Sequence, residues 1–173
     1  MSSNPPASDR ILGSLGAEDG RGIVRMEDRF DTRTDDVWAA LTEPHRLAGW
    51  LGEVEGDLRL GGEFRAHFFA SGWEGMGRIE ACEHRKRLLV VTKEADASNE
   101  HVVEVTLSAD GDQTILVWEE RELPGDLVAA YGAGVQVRVE DLGAHLAGRG
   151  RCDAAARFDE LFPAYRELAA KVS

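Results

Sequence analysis

The chain has 173 residues, 43% of them hydrophobic, and a net charge of −12. A chain of this length suits one domain that buries roughly 70% of the surface its unfolded form exposes. The negative field opposes polyanions and the densest basic run, Arg85-Lys86-Arg87, is only three residues long, so nucleic acid is not an expected partner.

Residues 1–20 mix Pro, Ser, Gly and Asp, a composition that offsets little ordering entropy and predicts a mobile N-terminal arm; Ile11, Leu12 and Leu15 are its apolar points. From Gly22 the pattern alternates, which predicts a first strand with Val24, Met26 and Phe30 facing inward. Thr34, Asp35 and Asp36 then open a helix whose apolar side is Val37, Trp38 and Leu41, with oxygens able to cap free N–H groups. Pro44, at a permitted helix start, opens a second short helix through Leu47 and Trp50.

Segments 63–70, 73–81, 88–93, 102–107 and 114–120 read as short strands in a meander joined by polar turns, with Gly61-Gly62 where the sheet bends. After Pro124-Gly125 the period becomes helical. Leu127, Tyr131, Val135, Val139, Leu142 and Leu146 define one long helix, ended by Gly148-Arg149-Gly150. A last helical segment carries Phe158, Leu161, Phe162, Tyr165 and Leu168, and Pro163 inside it predicts a break or kink near Phe162.

Strands followed by a long helix predict an α+β layer, helix on antiparallel sheet. The stretch Val37-Trp-Ala-Ala-Leu-Thr-Glu-Pro44, the following Trp50, and Glu55-Gly-Asp-Leu-Arg-Leu-Gly-Gly-Glu-Phe-Arg65 resemble the Hsp90-ATPase-activator-like branch of the START/Bet v 1-like (SRPBCC) helix-grip superfamily, in its bacterial single-domain form. The resemblance covers about residues 22–147, and Phe158-Asp-Glu-Leu-Phe-Pro-Ala-Tyr165 is similar to the closing segment of bacterial members. It implies a curved antiparallel sheet wrapped around a long C-terminal helix, with two short helices after the first strand. The expected organisation is an arm over 1–20 and a single domain over 21–173, with an extra helical segment from about 151.

The same resemblance places a pocket between long helix and sheet, with walls from Trp50, Phe64, Phe68, Trp73, Trp118, Tyr131 and Val135. A cavity of about 300 to 1,000 Å³, typical of small-molecule sites, is expected there. Gly132 and Gly134 lie inside the long helix at a cost of roughly 0.8 to 1 kcal/mol each, which close approach of the helix to the sheet, or backbone exposed to a pocket, would explain.

Other chemistries find no support in the motifs. Gly132-Ala-Gly134 and Gly75-Met-Gly77 lack the third glycine and the strand-turn-helix setting of a dinucleotide site, and Ala70-Ser71-Gly72 lacks the frame of a nucleophile elbow. The five histidines show no metal-ligand spacing, and neighbours in Cys82-Glu83-His84 point to opposite faces of a strand, so neither a metal nor a cofactor is expected. Acid–base candidates are His67, Glu104, Glu119, Glu120 and Tyr131; strand parity puts His67 and Glu104 on a solvated face and allows one of Glu119 and Glu120 inward.

Cys82 and Cys152 lie far apart, no signal-peptide pattern precedes them, and no apolar run approaches the ~20 residues that cross a bilayer. The expectation is a cytoplasmic protein with free thiols and no membrane insertion, monomeric or homodimeric, whose partner is a hydrophobic small-molecule ligand. The first functional expectation is a binding protein for a hydrophobic or amphipathic molecule. The second, carried by cyclase and dehydratase relatives, is acid–base catalysis in the same pocket. A third, from the family's founding members, is a chaperone interaction module of the Hsp90 type, for which 173 residues leave no extra N-terminal domain.

Overall fold

The computed structural model describes residues 11–95 and 99–172. Strands β1 (Gly13–Glu18), β2 (Arg21–Phe30), β3 (Gly52–Gly56), β4 (Glu63–Phe68), β5 (Glu74–Glu83), β6 (Arg87–Glu94), β7 (Glu100–Asp110) and β8 (Gln113–Pro124) form one antiparallel sheet in the order β1-β2-β8-β7-β6-β5-β4-β3. Helices α1 (Thr34–Thr42) and α2 (Pro44–Leu47) fill the connection from β2 to β3. A 3-10 turn leads into α3 (Val128–Leu146), and α4 (Ala154–Ala170) follows. The curved sheet and the long helix are the α+β helix-grip arrangement.

Strand alternation decides which side chains see the helix. On β8, Thr114, Leu116, Trp118 and Glu120 are buried while Ile115, Val117 and Glu119 are only half-buried on the outer face. At the β2/β8 join Gly22 pairs with Leu123 but Val24 pairs with Glu120, so β8 carries one extra residue, and Glu122 takes a positive φ of 63° there. This bulge resets the alternation, which is how Leu123 turns inward three residues after Glu120. Gly77 of β5 lies opposite Phe64 of β4, and its missing side chain leaves the space that the Phe64 ring occupies.

The N-terminal segment departs from the expected arm. Residues 1–10 lie outside the described residues, but Gly13–Glu18 pairs with β2, and Ile11, Leu12 and Leu15 pack on the core. The tie is polar as well: Leu12 N–H donates to Gln136 Oε1 at 3.1 Å, Gly13 N–H donates to the Tyr165 hydroxyl at 3.1 Å, and that hydroxyl donates to Gln136 Oε1 at 2.5 Å. Both side chains are fully buried, so one node joins β1, α3 and α4. A weak strand composition is overridden by tertiary pairing.

Two further expectations are corrected. α4 runs unbroken through Pro163. The ring sits on an exposed position, the Asp159 carbonyl it leaves without a donor is on an exposed residue, and Leu161 and Tyr165 anchor the helix on both sides. At α1, Thr34 is the first helical residue and Arg33 the N-cap, without a side-chain bond; Thr32 donates instead to Asp36 Oδ2 at 2.9 Å. α4 does have a side-chain cap, Asp153 accepting from the Ala156 N–H. Among the described residues no helix is long and apolar enough to cross a membrane.

Tyr165→Phe removes the hydroxyl at the centre of the node and leaves the Gly13 N–H without that acceptor. We predict a loss of about 1–3 kcal/mol in urea unfolding with an unchanged m value, the cost of an unsatisfied buried group.

Candidate functional site

A half-open cavity of about 110 Å³ lies between α3 and the concave face of the sheet. Its apolar walls follow from strand parity: Leu88 and Val90 on β6, Val103 and Val105 on β7, and Trp118 on β8 project to the same side. α1, α2 and the turn after them close one end. There Trp50 donates its indole N–H to the Ala40 carbonyl at 2.9 Å and meets Trp118 edge-to-face at 6.4 Å. Phe68, stacked on Trp73 at 4.8 Å, flanks the opening.

The other end is polar. The carboxylate of Glu120, only 3% exposed, accepts the Trp118 indole N–H at 3.0 Å and faces the Arg138 guanidinium at 3.4 Å. Arg138 also lies over the Phe68 ring, 4.9 Å from its centre. His101 and Tyr131 meet edge-to-face at 5.4 Å beside this pair and line the cavity. Burial holds the Tyr131 hydroxyl above its ordinary range, and the nearby charges of Glu120 and Glu94 push the same way. Burial likewise holds the His101 imidazole low, against the pull of the same two carboxylates. The polar end thus offers hydrogen-bond donors and one buried carboxylate inside an otherwise greasy space.

Of the seven expected wall residues, Trp50, Phe64, Phe68, Trp73, Trp118 and Tyr131 come together around this cavity and Val135 does not. Val135 is buried on the flank of α3 that lines a second groove, towards α4. The volume is also smaller than expected, because the crossed indoles of Trp50 and Trp118 and the ring of Phe64 occupy the middle of the space. Glu119 and Glu104 lie on the outer face, both bonded to Arg121, and Glu104 also to Arg87 at 2.6 Å; these bonds hold the Glu104 carboxyl below its ordinary range. His67 is exposed. Among the acid–base candidates, the cavity therefore receives Glu120 and Tyr131.

Arg138 and His101 were not among the expected site residues, yet both were legible. Arg138 stands seven residues after Tyr131, two helical turns along and within about 20° of the same face, whereas Val135 is about 40° away. His101 shares odd parity on β7 with the buried Val105 and Leu107. Gly132 and Gly134 also separate. A side chain at Gly132 would meet the Tyr165 ring at 2.6 Å and Leu15 at 3.1 Å, so the close approach is to α4 and β1, whereas at Gly134 nothing lies within 4 Å. Among the described residues no group of three or more His, Cys, Asp and Glu gathers as a metal site would require.

With this geometry in hand, the sequence profile described as "Activator of Hsp90 ATPase homolog 1-like protein" matches residues 31–147, more than half of the chain. The protein belongs to this family. The chain resembles the crystal structure of CalU16 from Micromonospora echinospora with a TM-score of 0.77 and 27% identity, over 91% of this chain and 96% of that one. It also resembles DynU16, a protein of the dynemicin biosynthetic locus, with a TM-score of 0.70 and 28% identity over 79% of this chain; it spans about half, 51%, of DynU16. CV1439 from Chromobacterium violaceum, at 20% identity and a TM-score of 0.61, shares the fold. No match is found among functionally curated proteins.

Besides His101, His145 is also held low by burial, with Arg46 adding to it and donating to its Nε2 at 2.9 Å. The unfolded chain binds these protons more readily, so the stability present above the ordinary imidazole value of about 6.5 drains away as pH falls through it. We predict a melting temperature that drops between about pH 7 and about pH 5.5, and a shallower drop for His101→Gln, measured by thermal melts at constant ionic strength.

Proposed function

We propose that this protein binds a hydrophobic or amphipathic small molecule in the cavity between α3 and the sheet. The observation that carries this reading is the cavity's composition: ring-lined apolar walls converge on a buried polar end made by Glu120, Arg138, Tyr131 and His101. A ligand with one hydrogen-bonding group and an apolar ring fits that asymmetry. The resemblance to DynU16, a protein of a biosynthetic locus, is in keeping with such a molecule.

A second reading, acid–base catalysis of the cyclase or dehydratase type, is favoured by one specific feature: Glu120 and Tyr131 share the cavity. Glu120 would accept a proton from a carbon acid and the neutral Tyr131 hydroxyl would donate a hydrogen bond to the developing oxyanion. Native mass spectrometry of freshly purified protein separates the readings. A co-purified mass that persists supports binding, and a mass converted over time in the wild type but retained in Glu120→Gln supports catalysis.

Val103 pairs with Glu120 across β7 and β8 and lines the cavity. We predict that Val103→Phe, whose ring occupies this small space, weakens naphthylamine binding by about tenfold in a fluorescence titration, a change of about 1.4 kcal/mol. The melting temperature should stay level or rise. Unchanged affinity in a folded variant would place the probe elsewhere and remove the binding reading.

A further inference from the structure

Beside the cavity runs a groove of about 520 Å³, walled by α3, the first turns of α4 and the loop between β4 and β5. Cavity and groove share three lining residues, Trp73, Tyr131 and Arg138, and so adjoin. At about 110 Å³ the cavity falls short of the roughly 300 to 1,000 Å³ of ordinary ligand sites, and with the groove it comes within that range. The loop is held at the far side by Arg151, whose guanidinium lies 4.5 Å from the centre of the Phe69 ring, so the groove has a defined wall.

Gly134 forms the floor of this groove. A glycine in mid-helix costs roughly 0.8 to 1 kcal/mol relative to Ala, and two ordinary reasons for keeping one are absent here. Its φ is not positive, and beyond the helix's own adjoining backbone no atom lies within 4 Å of the place a side chain would begin. Gly132, two residues earlier and so on nearly the opposite side of the helix, shows what a packing glycine looks like, with the Tyr165 ring pressed on it. What the bare backbone at Gly134 does is leave room in the groove.

Charge narrows what could lie there. Glu94 and Asp159 line the groove and Glu120 the cavity, while Arg138, the one permanent cation among the described residues lining either space, already faces Glu120. The fields of Glu94 and Glu120 reach both Tyr131 and His101. A carboxylate or sulfonate entering between them meets repulsion.

We propose that Gly134 is a specificity-determining residue that keeps open a second compartment of the ligand site. The molecule bound is then elongated, amphipathic and neutral or cationic, with one ring system seated in the cavity and the remainder over Gly134. This inference rests on the binding reading of the previous subsection.

Three fluorescent probes of graded shape and charge test it: naphthylamine, N-phenylnaphthylamine, and the anionic anilinonaphthalene sulfonate. The wild type should bind N-phenylnaphthylamine about tenfold more tightly than naphthylamine, through the added ring, and more tightly than the sulfonate. Gly134→Leu should abolish the gain from the added ring, leave naphthylamine within about twofold, and melt no lower than the wild type, because helix propensity improves. Ala155→Leu, which fills the groove from the α4 side, should do the same, so the test does not hang on one variant. If both folded variants keep the full gain, or if the sulfonate binds best, the proposal is overturned. If neither naphthylamine nor N-phenylnaphthylamine binds the wild type, the cavity-binding reading itself falls, and the proposal with it.

Discussion

A buried carboxylate is the constraint around which this molecule is arranged. Glu120 sits almost without solvent on the concave face of the sheet, and such a charge is tolerated only when donors offset its lost hydration. The donors come from two layers: the Trp118 indole from its own strand and the Arg138 guanidinium from α3. The second of these contacts bridges sheet and helix, so the pair fixes α3 over β8 at the same place where it keeps the space polar. The apolar walls, the crossed indoles and Tyr131 line the same cavity as that bridge.

The opposite flank of α3 is fixed by a different kind of contact. Gln136 and Tyr165 bond to each other and to the backbone of β1, and the bare backbone of Gly132 lets the Tyr165 ring come close. Gln136 also donates to Glu140, which is held by Arg157 at 2.7 Å. One face of the helix is therefore locked against α4 and the first strand, while the face carrying Tyr131, Gly134 and Arg138 opens onto cavity and groove. A rigid flank and an open flank on one helix are what a binding site needs, since a preformed site avoids the ordering cost that a collapsing one would incur on binding.

Much of this was legible in the residues. Alternation puts Phe64 on one face of its strand, the family resemblance puts Trp118 in the pocket wall, the run from Val37 to Arg65 specifies two short helices and a strand entry, and the recurrence from Leu127 to Leu146 specifies the long helix. The failures have physical causes. Residues 13–18 have poor strand composition and are ordered by pairing with β2 and by a tyrosine that lies 152 positions away from Gly13. Pro163 breaks no helix: it and Asp159, whose carbonyl it leaves without a donor, are both exposed residues. Val135, four residues after Tyr131, lies about 40° off that residue's face, whereas Arg138 lies within about 20° of it, its charge met by the buried Glu120. The two glycines of α3 look alike in sequence, and only the neighbours in space tell them apart.

Methyl-resolved NMR during titration with a neutral aromatic probe tests whether the space beside Glu120 binds a ligand. Binding there gives saturable shifts concentrated in Ile79, Leu88, Val90, Val103 and Val105, which surround the cavity, with little change at Val24, Val139 or Leu161. Shifts confined to surface methyl groups, or none at these five residues while the probe is bound, would contradict it.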